Sequence, residues 1–485
     1  MLHQIWNPVL EVAASFIIQL YLVMATVWNI DVPEGSTPGD GLSLSSTTVK
    51  TYIYWADAWL YHVDEKRPSL TVLQIRCLLL QAKQANYTQK NQAWSSAGTL
   101  VKMAMSAGYH RIPESNAPIS VFNREMRRRI WATVLELDLE ASLDRGMPPT
   151  VQQSDYDYNP PSHIDDQDIQ EASTDIPVEK PLHTPTDTSF QVVAYQSIAL
   201  RLHICALVNA PRLSISLDEM ANLDDDIIQY IADIPDWPSL AIEKEKQRQP
   251  LLLRYIVLQT NLRRCQLSLY GSCTLSGIQG STFAHSRRAS LDIATLILCQ
   301  QQLLLHRVGK MAWYALTEVT FQAAVTICHF LYTSASDSGK VLVTSLSISA
   351  YPGDPRLTDP ISVSSVIQQV VPSLVSSLIS LVEDCLPALE QKFISLEKGM
   401  REYCSLSMVI TIVKTKHMPE KAASNEKQFV DRLVTACYSI ISRNGNPTSD
   451  KTRTGRNTAL GVRYYTLADA RFLMANSFSR VAEPY

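Results

Sequence analysis

From Met126 the apolar side chains Ile130, Val134, Leu137 and Ala141 follow at steps of four, four, three and four. Only an α-helix brings such a series onto one face. Gly146 and the Pro148-Pro149 pair end the run, the first by tolerating a left-handed stop and the second by being unable to continue a helix. The spacing predicts a helix over 121–143. The same period recurs elsewhere. Residues 51–62 carry Tyr52, Trp55, Trp59 and Leu60. Leu70, Leu73, Cys77 and Leu80 form a stripe behind Ser69, a natural N-cap, and an amphipathic stretch over 88–108 stops at Gly108. Further helices are predicted over 188–209, 215–233, 248–270, 283–306, 310–333, 361–384, 386–414, 425–442 and 464–478. Glycine is scarce, 16 in 485 residues, and proline lies mostly outside the periodic runs. The predicted fold is all-α, a large array of packed helices.

Breaks in this pattern set the expected organisation. Residues 1–47 form an N-terminal apolar helix and loop, 48–333 a helical core, 334–360 a Ser-, Gly- and Pro-containing linker, and 361–485 a C-terminal helical part. Residues 443–458 read as a basic loop. Within the core, 152–187 is a long acidic connection in which only Lys180 opposes nine Asp and Glu residues. Two readings stay open for it, an acidic activation segment or a strap packed on the domain. Val12 to Trp28 is a run of 17 residues without charge. Its length, the central Gln19 and the lack of flanking Lys or Arg favour a core helix over a membrane span. Glu11, with no Lys or Arg before the run, argues against a signal peptide.

The chemistry written into the chain is sparse. A net charge of −4 and a pI near 6.2 are not the footprint of a domain that wraps nucleic acid. None of the nine cysteines is spaced by two residues from another, so they read as reduced, buried thiols and no metal site is expected. The clusters Asp165-Asp166-Gln167-Asp168 and Asp224-Asp225-Asp226 lack the fifth-position carboxylate that would complete a helical magnesium motif, and read as solvated acids. Nucleophile-elbow, phosphate-loop and zinc-protease motifs do not occur, and an enzyme is not expected. Arg127, Arg128 and Arg129 could contact phosphates. Glu136, Asp138, Glu140 and Asp144 follow on the same helix and would repel DNA, so packing inside the chain is the better reading.

Two linked motifs carry a resemblance. Trp94, Gly98, Gly108, His110, Arg111 and Pro113 make up the first; Arg128, Arg129, Trp131, Asp138, Gly146 and Pro148 make up the second. Together they resemble the signature of the fungal-specific regulatory domain, the middle homology region of zinc-cluster transcription factors. Weaker similarity extends through Ser286-Arg287 into 382–414. Where that family often carries a Leu-His-Arg-Pro, this chain reads Leu269-Tyr270-Gly271-Ser272. The family's six-cysteine zinc cluster needs closely spaced Cys pairs, and residues 1–76 contain no cysteine. No zinc or other cofactor is therefore expected in this chain.

The resemblance implies a nuclear transcription regulator of a fungus, such as those that control specialised-metabolite gene clusters, acting through its helical domain. It also implies co-regulators or a small-molecule effector, and a homodimer, as partners, with DNA a partner only if a zinc cluster is supplied elsewhere. No heptad seam for the dimer is visible. A helical co-regulator without its own DNA-binding part is the alternative, and an all-helical enzyme a third reading. The signature residues are expected to be structural, with Trp131 packed inward.

Overall fold

The computed structural model describes residues 8–28, 44–63, 68–113, 119–157, 159–211, 215–240, 245–275, 281–309, 311–336, 373–396 and 399–444. Among them every regular element is helical, as the periodicity predicts. The linker at 334–360 lies almost wholly outside the described residues, as do the last predicted helix and all but the first two residues of the basic loop.

The chain divides into two compact units. The first, Met1–Leu269 with Leu304–Leu316, holds α1 (Pro8–Val27), α2 (Ser46–His62), α3 (Leu70–Ala85), α4 (Ala93–Ser106), α5 (Val121–Arg145), α6 (Ser189–Gln196), α7 (Ile198–Val208), α8 (Leu217–Ala232), α9 (Trp237–Leu240) and most of α10 (Glu245–Leu275). The second, Tyr270–Leu303 with Thr317–Tyr485, takes most of α11 (Ser281–Val308) and α12 (Met311–Ser336), a helix over 373–383, and the helices Leu386–Leu396, Met400–His417 and Ala422–Asn444.

Local chemistry explains the helix ends of the first unit. The hydroxyls of Ser45, Ser69 and Ser120 each accept the amide three residues on, satisfying a donor that the first turn leaves open. Two apolar clusters lie behind these caps. One joins α3, α4, α5 and α7 around Trp131, with Leu73, Leu100, Leu135, Leu139 and Leu202. The other joins α1, α2 and α3 through Leu22, Ile53, Ala56, Ile75 and Leu79. Each fully buried side chain of this kind contributes about 1.5–3 kcal/mol.

α1 departs from the expectation of a helix sheltered on every side. One face is buried through Ile18, Leu22 and Ala25. Asn86 fixes its C-terminal end by donating to the Ala25 carbonyl at 2.7 Å and accepting the Trp28 indole N–H at 2.8 Å. The opposite face, with Phe16, Leu20, Val23 and Val27, is open. Among the described residues no single helix is long and apolar enough to cross a membrane.

Two predicted helices are broken. The run over 188–209 splits at Ser197 into α6 and α7, bent by 52°. The run over 386–414 splits at Gly399, whose φ of +85° is left-handed, a conformation glycine adopts without steric cost. In the second unit Arg287 lies over the Phe330 ring at 5.2 Å and donates to the Thr333 hydroxyl at 2.6 Å. This gives the Ser286-Arg287 pair a local packing role.

Candidate functional site

The two signature motifs meet where α4 crosses α5. Gly98 lets α4 approach the chain after α5: a Cβ there would lie 3.0 Å from the Thr150 hydroxyl. The Trp94 indole donates to the Pro148 carbonyl at 3.1 Å. Gly146 stops α5 with a left-handed φ of +68°, and Met147 N donates back to Ser142 at 3.0 Å. Asp138, fully buried, accepts the Thr150 amide at 2.7 Å. Burial raises its carboxyl above the ordinary range, opposed by the hydrogen bonds from Thr150 and Val151. Together these contacts fold the Gly-x-Pro turn back against α4.

Trp131 is wholly buried. Its ring lies 5.8 Å from Tyr156, edge-on, and 6.2 Å from His110. His110 follows Gly108, whose φ of +75° ends α4, and the His110 carbonyl accepts the Asp157 amide at 3.1 Å. Burial and the neighbouring Arg111 lower the His110 pKa, opposed by Asp157 and Asp155. Arg111 itself is exposed, and the next amide, of Ile112, donates to the Asp157 carboxylate at 2.8 Å. The two motifs are thus closed by a third segment, Asp155-Tyr156-Asp157.

The arginines at the start of α5 are engaged within the chain. Arg127 stacks on Tyr109 at 4.4 Å and donates to the Gly108 carbonyl at 3.3 Å. Arg128 donates to the Ser162 hydroxyl at 3.1 Å, and Arg129 bonds Glu125 at 3.1 Å and Asp166 at 2.6 Å. Glu125, nearly buried, also accepts the Ser162 amide. Burial raises its pKa, and Arg129, the Ser162 amide and Arg128 oppose the rise.

The acidic connection is an ordered strap. Lys180 bridges the carboxylates of Asp165 and Asp168. Asp165 and Asp168 also cap a 3-10 turn reciprocally, and Asp187 accepts the Asp166 amide at 3.0 Å. His163 is buried. Its Nδ1–H donates to the Lys180 carbonyl at 2.6 Å, so its Nε2 accepts the Ser189 hydroxyl at 2.8 Å. The Trp237 indole holds the strap from α9 by donating to the Leu182 carbonyl at 2.9 Å. Of the two readings of 152–187, the described residues show the packed one. The second acidic cluster is also tied down in part, since Asp224 accepts from Gln266.

A third set of contacts was not read from the sequence. Glu136, Glu140 and Asp144 line one stripe of α5, each four residues from the next. Arg201, almost fully buried, clamps Glu136 with two bonds of 2.7 and 2.8 Å. Arg264 bonds Asp144 at 2.6 Å. Between these pairs Glu140 has its pKa pushed up to about 8, by burial first and then by Glu136 and Asp144, against the pull of Arg264 and Arg201. The four-residue spacing of the acids was legible. Their partners were not, because Arg201 and Arg264 stand 65 and 120 residues away from Glu136 and Asp144.

Among the described residues, Val193, Ser197, Arg201, Tyr230, Ile234 and Asn261 line a cleft beside the Arg201–Glu136 pair. Among the described residues no three His, Cys, Asp or Glu side chains are grouped to hold a metal ion. Among the described residues five cysteines are buried and free, and the pKa values of Cys77 and Cys205 are pushed up to about 12, chiefly by burial.

The model for the fungal specific transcription factor domain matches residues 20–226. The transcription factor opdR of Penicillium oxalicum is 30% identical over 303 residues, 61% of this chain and 37% of that protein. The transcription factor asR3 of Sarocladium schorii is 33% identical over 201 residues, 41% of this chain and 23% of that protein. The equisetin cluster transcription factor eqxF of Fusarium heterosporum is 28% identical over 220 residues, 44% of this chain and 30% of that protein. The chain thus spans well under half the length of these relatives. No solved structure matches it.

Proposed function

We propose that this chain is a regulator of transcription that acts through its helical domain in the fungal nucleus, on genes of a specialised-metabolite cluster. One observation carries the reading: the match of the fungal specific transcription factor domain model to residues 20–226. Proteins similar to this chain include ones named for gene clusters, such as eqxF. In this reading the signature residues Trp94, Gly98, Gly108, His110, Arg111, Arg128, Arg129, Trp131, Asp138, Gly146 and Pro148 hold α4, α5 and the strap together. They perform no chemistry, and the chain is not an enzyme. Co-regulators and, where a zinc cluster is supplied by another part, DNA are its partners.

The test is a strain in which the chain's coding region is deleted and transcripts are profiled. Coordinated loss or gain of transcripts from a contiguous set of biosynthetic genes supports the reading. An unchanged profile under conditions where the protein is expressed overturns it. Binding of the purified chain to promoter DNA is expected to be unselective, given its net charge of −4 and the engagement of Arg127, Arg128 and Arg129 inside the fold. Nanomolar, sequence-selective gel shifts by this chain alone would replace the indirect mode with direct readout.

A further inference from the structure

The helices Met400–His417 and Ala422–Asn444 form a hairpin in the second unit, joined through a 3-10 turn at Pro419–Lys421 and packed on each other. Each carries one cysteine. At about 1.5 Å per residue, Cys404 lies about 20 Å back from the end of the first helix and Cys437 about 22 Å out from the start of the second. The two therefore stand at nearly the same height of the hairpin. Cys404 follows the buried Tyr403 and Cys437 follows the buried Ala436, so both sit beside the inner faces. Burial first, and then the Cys437 thiol, push the Cys404 pKa up to about 12. That electrostatic contact agrees with the matched heights. Both thiols are free and half-buried, so an oxidant can reach each. The other neighbouring cysteines differ. Cys205 beside Cys265 and Cys328 beside Cys385 are buried on both sides, and the exposed Cys299 has the buried Cys385 next to it.

We propose that Cys404 and Cys437 are a redox-sensitive pair, joined in a reversible disulfide when the chain meets a small disulfide oxidant such as oxidised glutathione, and that this bond clamps the hairpin. Packed helices stand about 8–10 Å apart, and a Cα lies about 2.3 Å from its own axis. Residues that face each other across such a contact bring their Cα atoms into the range of roughly 4.4–6.8 Å that a disulfide spans. Cys437, raised by burial alone, is the readier thiolate. It attacks one sulfur of glutathione disulfide and expels the other glutathione as a thiolate. The Cys404 thiolate then attacks the Cys437 sulfur of this mixed disulfide and expels the second glutathione. Two electrons pass from the pair to glutathione disulfide, and the two thiol protons leave with the two glutathione molecules. Burial makes both steps slow, because little thiolate is present at neutral pH. It also favours the product, because neither thiolate of the reduced pair is stabilised. A bond that forms slowly and persists responds to sustained oxidation, and redox sensing is a usual role of disulfides in reducing compartments.

The experiment incubates the purified full chain with excess oxidised glutathione, blocks the remaining thiols with iodoacetamide and maps the peptides by mass spectrometry. The expected product is a peptide pair joined through Cys404 and Cys437 and released by dithiothreitol, with free Cys437 lowered at least about tenfold. The exposed Cys299 should carry glutathione in the same sample, which reports that the oxidant had access. Cys404→Ser should stop at one glutathione on Cys437. The urea midpoint should rise on oxidation in the wild-type chain and not in Cys404→Ser or Cys437→Ser, since only the wild type closes the loop between the two helices. Cys437 left free while Cys299 is modified overturns the proposal. So does a wild-type chain that stops at the glutathione adduct of Cys437, or a mixture of pairings in which Cys404–Cys437 is no more abundant than the rest. A midpoint that rises equally in the serine variants overturns the clamp. Circular dichroism confirms that each variant is folded, and the wild-type map decides the pairing without them.

Discussion

Asp138, on the buried face of α5, accepts the backbone amide of Thr150 at 2.7 Å across the Gly-x-Pro turn. One carboxylate oxygen thereby holds the segment against which Gly98 of α4 must fit. Asp138→Ala leaves a buried amide without an acceptor and should cost about 1–3 kcal/mol. Asp138→Asn keeps the accepting oxygen, and burial already disfavours the charged carboxylate. It should cost less than about 1 kcal/mol. Urea midpoints of the two variants, read by circular dichroism, check the order; an equal loss for both would show that the charge itself matters.

Trp131 fills the space between His110 and Tyr156 at zero exposure. Trp131→Ala should destabilise the first unit by about 3–5 kcal/mol, the usual range for deleting a buried aromatic. A denaturation curve unchanged in midpoint and slope would contradict the packing.

The stripe of three carboxylates on α5 makes stability depend on pH. Glu140 has a folded pKa raised to about 8 from an ordinary 4.5, so the folded state holds a proton that the unfolded state has released between these values. Its contribution is unpenalised below about pH 4.5 and is lost as pH rises towards 8. Glu140→Gln should remove this loss, stabilising the chain at pH 9 relative to wild type by on the order of 2 kcal/mol. The check is unfolding of both proteins at pH 5 and pH 9; parallel behaviour at the two values would place Glu140 in water.

Thiol reactivity should follow exposure. Cys299 is exposed, whereas Cys77, Cys205, Cys265, Cys328 and Cys385 are buried. Burial pushes Cys265 up to about 11 and Cys328 and Cys385 up to about 12. A thiol reagent at pH 8 should therefore modify Cys299 quickly and these five only on unfolding. Rapid labelling of Cys205 or Cys265, located by mass spectrometry, would show that the α7–α10 packing opens in the native state.

Periodicity was a good guide wherever one face of a helix is apolar and the other polar. The predicted 121–143 became Val121–Arg145, and 425–442 became Ala422–Asn444. It failed where both faces are apolar. The run through Ser197 reads as one helix because apolar residues continue across the bend, and the open face of α1 was hidden because Ile18, Leu22 and Ala25 interleave with Phe16, Leu20 and Val23. Gly399 was a visible stop signal that the helical pattern on either side outweighed. The strap was misleading for another reason: its acids look solvated in sequence, yet several are spent on Lys180, Arg129 and backbone amides. At the crossing, the tryptophans, glycines and Asp138 could be named from their motifs. Glu125, Thr150 and Arg201 could not, since their partners are fixed only by the tertiary fold.

α5 is 25 residues long, hence about 37 Å from end to end. It is clamped at both extremities, by Glu125 to Ser162 at one and by Asp144 to Arg264 at the other. Held this way the helix works as a beam. One continuous helix thereby joins the strap at Ser162 to α10 at Arg264.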